Sequence, residues 1–197
     1  MKIFANIDDQ AIVLQDFLSE DLFEKVSNFN YESDKFVKKT NFDDWDKDLY
    51  LDGHKNLTMK KVERIDENLA CLTKGEYTNV KDDMFKDVLQ TVVDCPFMPF
   101  IENSTMHVTY YKYEKYAGIN WHDDHVYTLN YSLYIHKEWD KDWGGETLID
   151  TNRGIPLCVT PRPNSLVAIK NNILHKVCAV TGPEERKVLQ IRGIFHE

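Results

Sequence analysis

The chain has 197 residues, 42% of them hydrophobic and 29% charged, with a formal net charge of −9. This length and balance fit one soluble globular domain with a sizeable core. No apolar run is long enough to span a bilayer, and the acidic surplus argues against general nucleic-acid binding, which depends on basic surface.

Taken in chain order, Ala11 to Phe17 reads as a first strand. Ser19 then has the character of a helix N-cap, with Glu20 and Asp21 favourable to the dipole of the first turn. Leu22, Val26 and Phe29 give that helix its apolar face. Tyr31 to Lys55 is polar and aromatic without clear periodicity and reads as a long loop with short elements. Leu57 to Leu72 repeats apolar residues at helical spacing through Met59, Val62, Ile65 and Leu69, and Met84 to Val93 does the same. Both are expected as helices packed on a sheet.

From Ser104 the pattern changes to short strands: Thr105 to Tyr111, Val126 to Ile135, Glu146 to Asp150, Pro156 to Val159, Ser165 to Ile169, His175 to Val180 and Lys187 to Phe195. Turn residues separate them, among them Gly144-Gly145, Pro161-Arg162-Pro163-Asn164 and Asn171-Asn172. Evenly spaced short strands of this kind suggest a double-sheet jelly roll. In Val126 to Ile135, Tyr127, Leu129, Tyr131, Leu133 and Ile135 share one face, suited to packing on the helices. Thr128, Asn130, Ser132 and Tyr134 share the other, which suits the wall of a polar cavity.

The chemistry concentrates in Trp121-His122-Asp123-Asp124, His175 and Arg186. Residues i and i+2 of an extended segment point to one side, so His122 and Asp124 can hold one ion while Asp123 points away. His175 supplies a third ligand from a distant strand. Two imidazoles and one carboxylate on one face of a metal leave the opposite face open, the arrangement of mononuclear non-haem Fe(II) sites. Arg186 offers a fixed, always-charged fork for a carboxylate. Strand alternation puts Val188, Gln190 and Arg192 on its face, with Lys187, Leu189 and Ile191 on the other. A fourth protein ligand, from His125 or His107, would fill a coordination position that the chemistry needs. His54, His136 and His196 read as surface residues. Cys71, Cys95, Cys158 and Cys178 form no CxxC pair and read as free structural thiols.

In their surroundings these residues resemble the 2-oxoglutarate- and Fe(II)-dependent dioxygenases, in the prolyl 4-hydroxylase-like branch. The resemblance rests on Tyr113 to Asp124 (YEKYAGINWHDD), Tyr131 to Thr147 (YSLYIHKEWDKDWGGET) and Pro161 to Ile194 (PRPNSLVAIKNNILHKVCAVTGPEERKVLQIRGI), and spans roughly residues 105 to 195. It implies a mainly β fold with flanking helices. A double-stranded β-helix (a cupin-like jelly roll) over residues 101–197 would be the catalytic core, backed by a helical support region over residues 1–100, all in one domain. It implies Fe(II) on His122, Asp124 and His175, with 2-oxoglutarate and O2 as cosubstrates and ascorbate as the expected reductant. Arg186 is then the residue that binds the distal carboxylate of 2-oxoglutarate. Tyr134 matches a tyrosine that helps it, and Tyr113 matches another position near the cosubstrate. Glu146 and Thr147 begin a strand, without chemistry of their own.

Arg192 departs from the pattern, because many relatives in that branch carry tryptophan there. An arginine at the cavity mouth favours an anionic substrate. The expected activity is therefore hydroxylation of a prolyl residue or of a small amino-acid-like molecule, so the partner is a small-molecule or peptide substrate. No membrane association is expected, and without a secretory h-region in MKIFANIDDQ the expected location is cytoplasmic. The alternative is a non-catalytic cupin-like binding module. The pairing of Arg186 with Tyr134 speaks against it, since such a module needs no carboxylate clamp inside the barrel.

Overall fold

A computed structural model describes the chain except for residues 8–9, 34–37, 41–61, 66, 98–103, 152–153 and 196–197. The first part of the chain forms β1 (Lys2–Ile7), β2 (Ala11–Gln15), helix α1 (Glu20–Asn28), β3 (Lys38–Thr40), β4 (Val62–Ile65), β5 (Ala70–Thr73), β6 (Glu76–Thr78) and helix α2 (Asp83–Val93). The second part forms β7 (Ser104–Tyr113), β8 (Ile119–His122), β9 (Leu129–Tyr134), β10 (Thr147–Ile149), β11 (Leu157–Val159), β12 (Leu166–Lys170), β13 (His175–Val177) and β14 (Arg186–Phe195). Two antiparallel sheets result. The larger runs β1-β2-β12-β9-β14-β7-β4-β3, with β5 and β6 attached at β7, and the smaller runs β11-β10-β13-β8.

This is the expected jelly roll, and strand alternation explains how its layers are filled. Leu129, Tyr131 and Leu133 of β9 and Leu189 and Ile191 of β14 face one way, into a core completed by Phe85, Val88 and Leu89 of α2 and Val26 of α1. Tyr134, Val188, Val167 and Tyr113 face the other way, towards Ile149, Val159 and Val177 of the smaller sheet. Burying each such aliphatic side chain stabilises the fold by about 1.5–3 kcal/mol. The polar site lies between the sheets, at the end where this second core gives way to charged side chains.

The helices start where capping chemistry places them. Ser19 Oγ accepts from the Leu22 N–H at 3.3 Å, as its position before Glu20-Asp21 predicts. Asp82 caps α2 in the same way, accepting from the Met84 N–H at 3.0 Å. Asn164, in the turn before β12, ties that turn to the segment before α1: its Oδ1 accepts from the Leu18 N–H and its Nδ2 donates to the Leu18 carbonyl.

Three expectations require correction. The described part of Leu57 to Leu72 is not helical; it forms β4 and β5, both paired with β7, while the stretch up to Lys61 lies outside the described residues. Val62 and Ile65 are buried at the two ends of β4, Leu69 in the connection and Leu72 in β5, so a strand-turn-strand reproduces the apolar spacing of a helix. The strand expected from Val126 starts only at Leu129, because Tyr127 N–H closes a turn onto the Asp124 carbonyl. His136 is buried, not on the surface. Of the segment Tyr31 to Lys55, Tyr31 packs in the core with its ring stacked on Tyr110 at 4.1 Å, and β3 adds a short strand; most of the rest, with His54, lies outside the described residues, as does His196. Among the described residues, the first hundred supply six strands as well as two helices, and β1 and β2 extend the larger sheet.

Candidate metal centre

His122 ends β8 and His175 opens β13, and these two strands pair with His122 opposite His175. Their ring centroids lie 4.3 Å apart. Asp124 follows in the turn after β8, with a carboxylate oxygen 3.6 Å from His175 Nε2. One donor atom from each of the three lies within 4.8 Å of the others. Both rings are oriented through their other nitrogen: His122 Nδ1 lies 2.7 Å from the Asn120 carbonyl and His175 Nδ1 2.9 Å from the Ile173 carbonyl. A carbonyl only accepts, so Nδ1 carries the proton and Nε2 keeps its lone pair. Fixing the tautomer through the outer nitrogen is characteristic of imidazoles that ligate metals.

Burial raises the Asp124 carboxyl, but His175 and the positive charge of Arg192 outweigh that effect and hold it below its usual range. The group is thus ionised and ready to coordinate. Asp123 Oδ1 lies 2.7 Å from the exposed imidazole of His125, and neither residue belongs to the cluster formed by His122, Asp124 and His175. His107 is half-buried on β7 against Tyr127, and desolvation together with Arg192 pushes its pKa down to about 4.

Arg186, at the start of β14, is 1% exposed. Its guanidinium lies over the rings of Tyr113, 4.7 Å from the centroid, and Tyr134, 4.8 Å from the centroid. Nη2 donates to Tyr134 Oη at 3.3 Å and to Thr147 Oγ1 at 3.1 Å, and Nε has no hydrogen-bond partner among the described residues. No carboxylate forms an ion pair with it among the described residues. Lys187 lies on the other face, partly exposed and 3.8 Å from Glu185, as alternation requires. Burial pushes the Tyr113 phenol up to about 12, so it is a neutral donor.

Sequence reasoning missed Thr147. It is buried, bonded to both Arg186 and Tyr134, and lines the cavity with the three candidate ligands. Ser132 lines the same cavity, as strand alternation placed it, and its hydroxyl donates to Gln190 Oε1 at 2.9 Å. Threonine and serine are common on strands, and only the face each occupies marked them. The pair Gly144-Gly145 has a specific reason. Both residues adopt positive φ, and a Cβ on Gly145 would lie 3.2 Å from Arg186 Cδ. Glycine leaves room for the arginine stem there. Arg192 is buried further along β14, its Nη1 donating to Tyr111 Oη at 2.9 Å. A groove lined by Gln10, Ile12, Phe97 and Ile169 is roomier, but apart from Lys170 and Tyr131 its lining carries no ionisable group.

Residues 106–191 match the family model of the 2OG-Fe(II) oxygenase superfamily. The match spans somewhat less than half of the chain and takes in His122, Asp124, His175 and Arg186. The oxygenase core agrees in fold with solved structures across nearly the whole chain. An oxidoreductase of the 2OG-Fe(II) oxygenase family from Burkholderia pseudomallei superposes with a TM-score of 0.65 at 11% identity, over 96% of this chain and 87% of that one. A Pseudomonas putida prolyl-4-hydroxylase gives 0.61 at 15% identity, over 95% and 94%. A prolyl hydroxylase from Trichoplax adhaerens, solved with a peptide fragment of the hypoxia inducible factor oxygen degradation domain, gives 0.66 at 13% identity, over 95% and 84%. A search of curated proteins gave no match. The matched family is named for Fe(II) and 2-oxoglutarate, and the donor set here fits Fe(II): two imidazole nitrogens freed by backbone carbonyls and one ionised carboxylate. Among the described residues, no helix is long and apolar enough to cross a membrane.

Proposed function

We propose that this oxygenase is a hydroxylase in which His122, Asp124 and His175 hold Fe(II), and Arg186 holds 2-oxoglutarate by its distal carboxylate. Arg186 carries the reading. A guanidinium this deeply buried is costly without a counter-charge, yet its partners are two neutral hydroxyls and two aromatic faces. A dicarboxylate reaching in from the metal supplies the missing charge, and the planar fork suits it. The same observation disfavours a non-catalytic cupin-like module, in which that charge would serve nothing.

The residues divide the work. Tyr134 and Thr147 hold the guanidinium by two hydrogen bonds, and the Tyr113 ring packs against it. The Asn120 and Ile173 carbonyls keep both imidazole rings aimed at one point. The apolar wall of Ile119, Val177 and Ile169 limits water in the cavity. When bound, Fe(II) and 2-oxoglutarate supply the oxidation: O2 is consumed, 2-oxoglutarate becomes succinate and carbon dioxide, and one oxygen atom enters a C–H bond of the substrate as an alcohol. Protein side chains orient these partners and exclude competing reactions. The substrate is a prolyl residue or a small amino-acid-like molecule, and ascorbate is the reductant that would keep the iron ferrous. The test is release of succinate from 2-oxoglutarate that requires added Fe(II) and O2. A purified chain that binds Fe(II) but never turns over 2-oxoglutarate, with any amino acid or peptide offered, would favour the binding module.

A further inference from the structure

Beside the Arg186 clamp, the same face of the sheet carries a second pair of buried polar groups with unpaired atoms among the described residues: Arg192, which lines the cavity, and Asn130 next to it. Arg192 is 7% exposed and Asn130 is 3% exposed. They stand directly opposite each other in the pairing of β14 with β9, so their side chains leave the same face of the sheet as neighbours. That is also the face of Ser132 and Tyr134, since Leu129, Tyr131 and Leu133 point into the helix-side core. Arg192 Nη1 donates to Tyr111 Oη, and its guanidinium lies 4.8 Å from the Tyr127 ring centroid. Arg192 Nε and both the Nδ2 and Oδ1 atoms of Asn130 are buried with no hydrogen-bond partner among the described residues. No carboxylate forms an ion pair with Arg192 among the described residues. The acid nearest in its electrostatics is Asp124, whose charge a metal ion would take up.

Orphaned buried donors and acceptors are rare in native proteins, because each forfeits the hydrogen bond it had with water. Three such atoms on two facing side chains describe what they would bind. The free guanidinium N–H and the amide NH2 are donors beside a positive charge, and they call for a carboxylate. The amide oxygen is an acceptor next to them, and it calls for an N–H group adjacent to that carboxylate. A zwitterionic α-amino acid provides both. An internal peptide residue has no free carboxylate and would leave the Arg192 charge buried and uncompensated.

We propose that Arg192 and Asn130 form the carboxylate- and amine-binding half of the substrate subsite, and that the substrate is a free α-amino acid rather than a residue within a peptide chain. This rests on the oxygenase reading above. Tyr111 and Tyr127 then serve as positioning residues that hold the guanidinium level with the cavity.

The test is binding, measured by calorimetry without oxygen on protein loaded with Mn(II) and 2-oxoglutarate. Each proteinogenic L-amino acid is titrated as the free acid, and the tightest binder is then compared with its C-terminal amide and its N-acetyl form. The wild-type chain should bind the free acid at least roughly 30-fold more tightly than the amide, the lower range for loss of one partner of a buried charge pair. It should also prefer the free amine to the N-acetyl form. In Arg192→Gln the preference for acid over amide should disappear, and in Asn130→Leu the preference for free amine over N-acetyl should shrink, with unfolding curves confirming that each variant is folded. The comparison of acid with amide needs no variant, so it decides the matter even if a substitution disrupts the strand. No binding of any free amino acid, or equal binding of acid and amide, overturns the assignment. Equal binding of the N-acetyl form overturns it in favour of a peptide C-terminus. Mn(II) and 2-oxoglutarate are themselves titrated first: their failure to bind would overturn the oxygenase reading, whereas their binding without amino-acid selectivity overturns this assignment alone.

Discussion

His175 Nε2 and a carboxylate oxygen of Asp124 face each other at 3.6 Å, too far apart for a good hydrogen bond and close to the spacing of two donors on one ion. Ligand atoms about 2.0–2.2 Å from a metal lie roughly 3 Å apart at a right angle, so a small inward movement brings both onto it. His175→Ala and Asp124→Ala should each weaken Mn(II) or Fe(II) binding by more than about 100-fold, above the 10–100-fold typical when an outer-shell partner is lost. Metal titration of the purified variants checks this, and undiminished affinity in either would remove that residue from the site.

Arg186→Ala should weaken 2-oxoglutarate binding by about 2–5 kcal/mol, since it leaves a carboxylate buried without its partner. Metal affinity should change far less. Lys187→Ala, on the opposite face of β14, should bind 2-oxoglutarate like wild type. Titration of 2-oxoglutarate into Mn(II)-loaded protein separates the two, and sensitivity at Lys187 would mean that the strand register is wrong.

Gly145→Ala tests how the clamp is made. At φ +70° a Cβ costs about 1–2 kcal/mol, and here it also presses on the Arg186 stem at 3.2 Å. The variant should lose stability by about that amount and bind 2-oxoglutarate more weakly. Gly154→Ala has a similar φ of +76° with open space around it, so it should lose stability without the binding defect.

Acid should destabilise the fold through desolvated neutral histidines. Burial pushes His136 from the ordinary 6.5 down to about 4, and burial with Arg192 does the same to His107. Between those two values the unfolded chain binds protons that the folded chain does not, so stability is complete above about pH 6.5 and falls as the pH drops towards 4. One such group contributes at most about 3 kcal/mol across that window. His136→Gln keeps a donor for the Pro161 carbonyl, which His136 Nε2 contacts at 2.6 Å. Its melting temperature should fall less steeply than that of wild type from pH 6.5 to 4; an unchanged slope would mean that His136 is not the group responsible.

The parts of the site legible in the sequence were those set by local rules. Period-two alternation along Arg186 to Arg192 placed Arg186, Val188, Gln190 and Arg192 on one face and Leu189 and Ile191 on the other, and the two cores divide that way. The spacing of His122 and Asp124 anticipated their meeting, although Asp124 sits in the turn after β8 rather than on the strand itself. What escaped depends on distant partners. β4 and β5 are strands because β7 offers its edge to them, a pairing invisible in the apolar spacing of Leu57 to Leu72. Thr147 reads as an ordinary strand residue until β10 brings it beneath Arg186 and Tyr134. Asn130 lay on the face expected to be polar, but its lack of partners emerged only once β9, β12 and β14 were assembled.

The most direct measurement is a crystal structure of the chain grown without oxygen in the presence of Mn(II) and 2-oxoglutarate. One ion should be bound by Nε2 of His122 and of His175 and by a carboxylate oxygen of Asp124, at about 2.0–2.2 Å. 2-Oxoglutarate should lie with its distal carboxylate on the Arg186 guanidinium, within reach of Tyr134 and Thr147. An ion bound elsewhere, or a distal carboxylate held by Arg192 or Lys187 with Arg186 left unpaired, would contradict this reading.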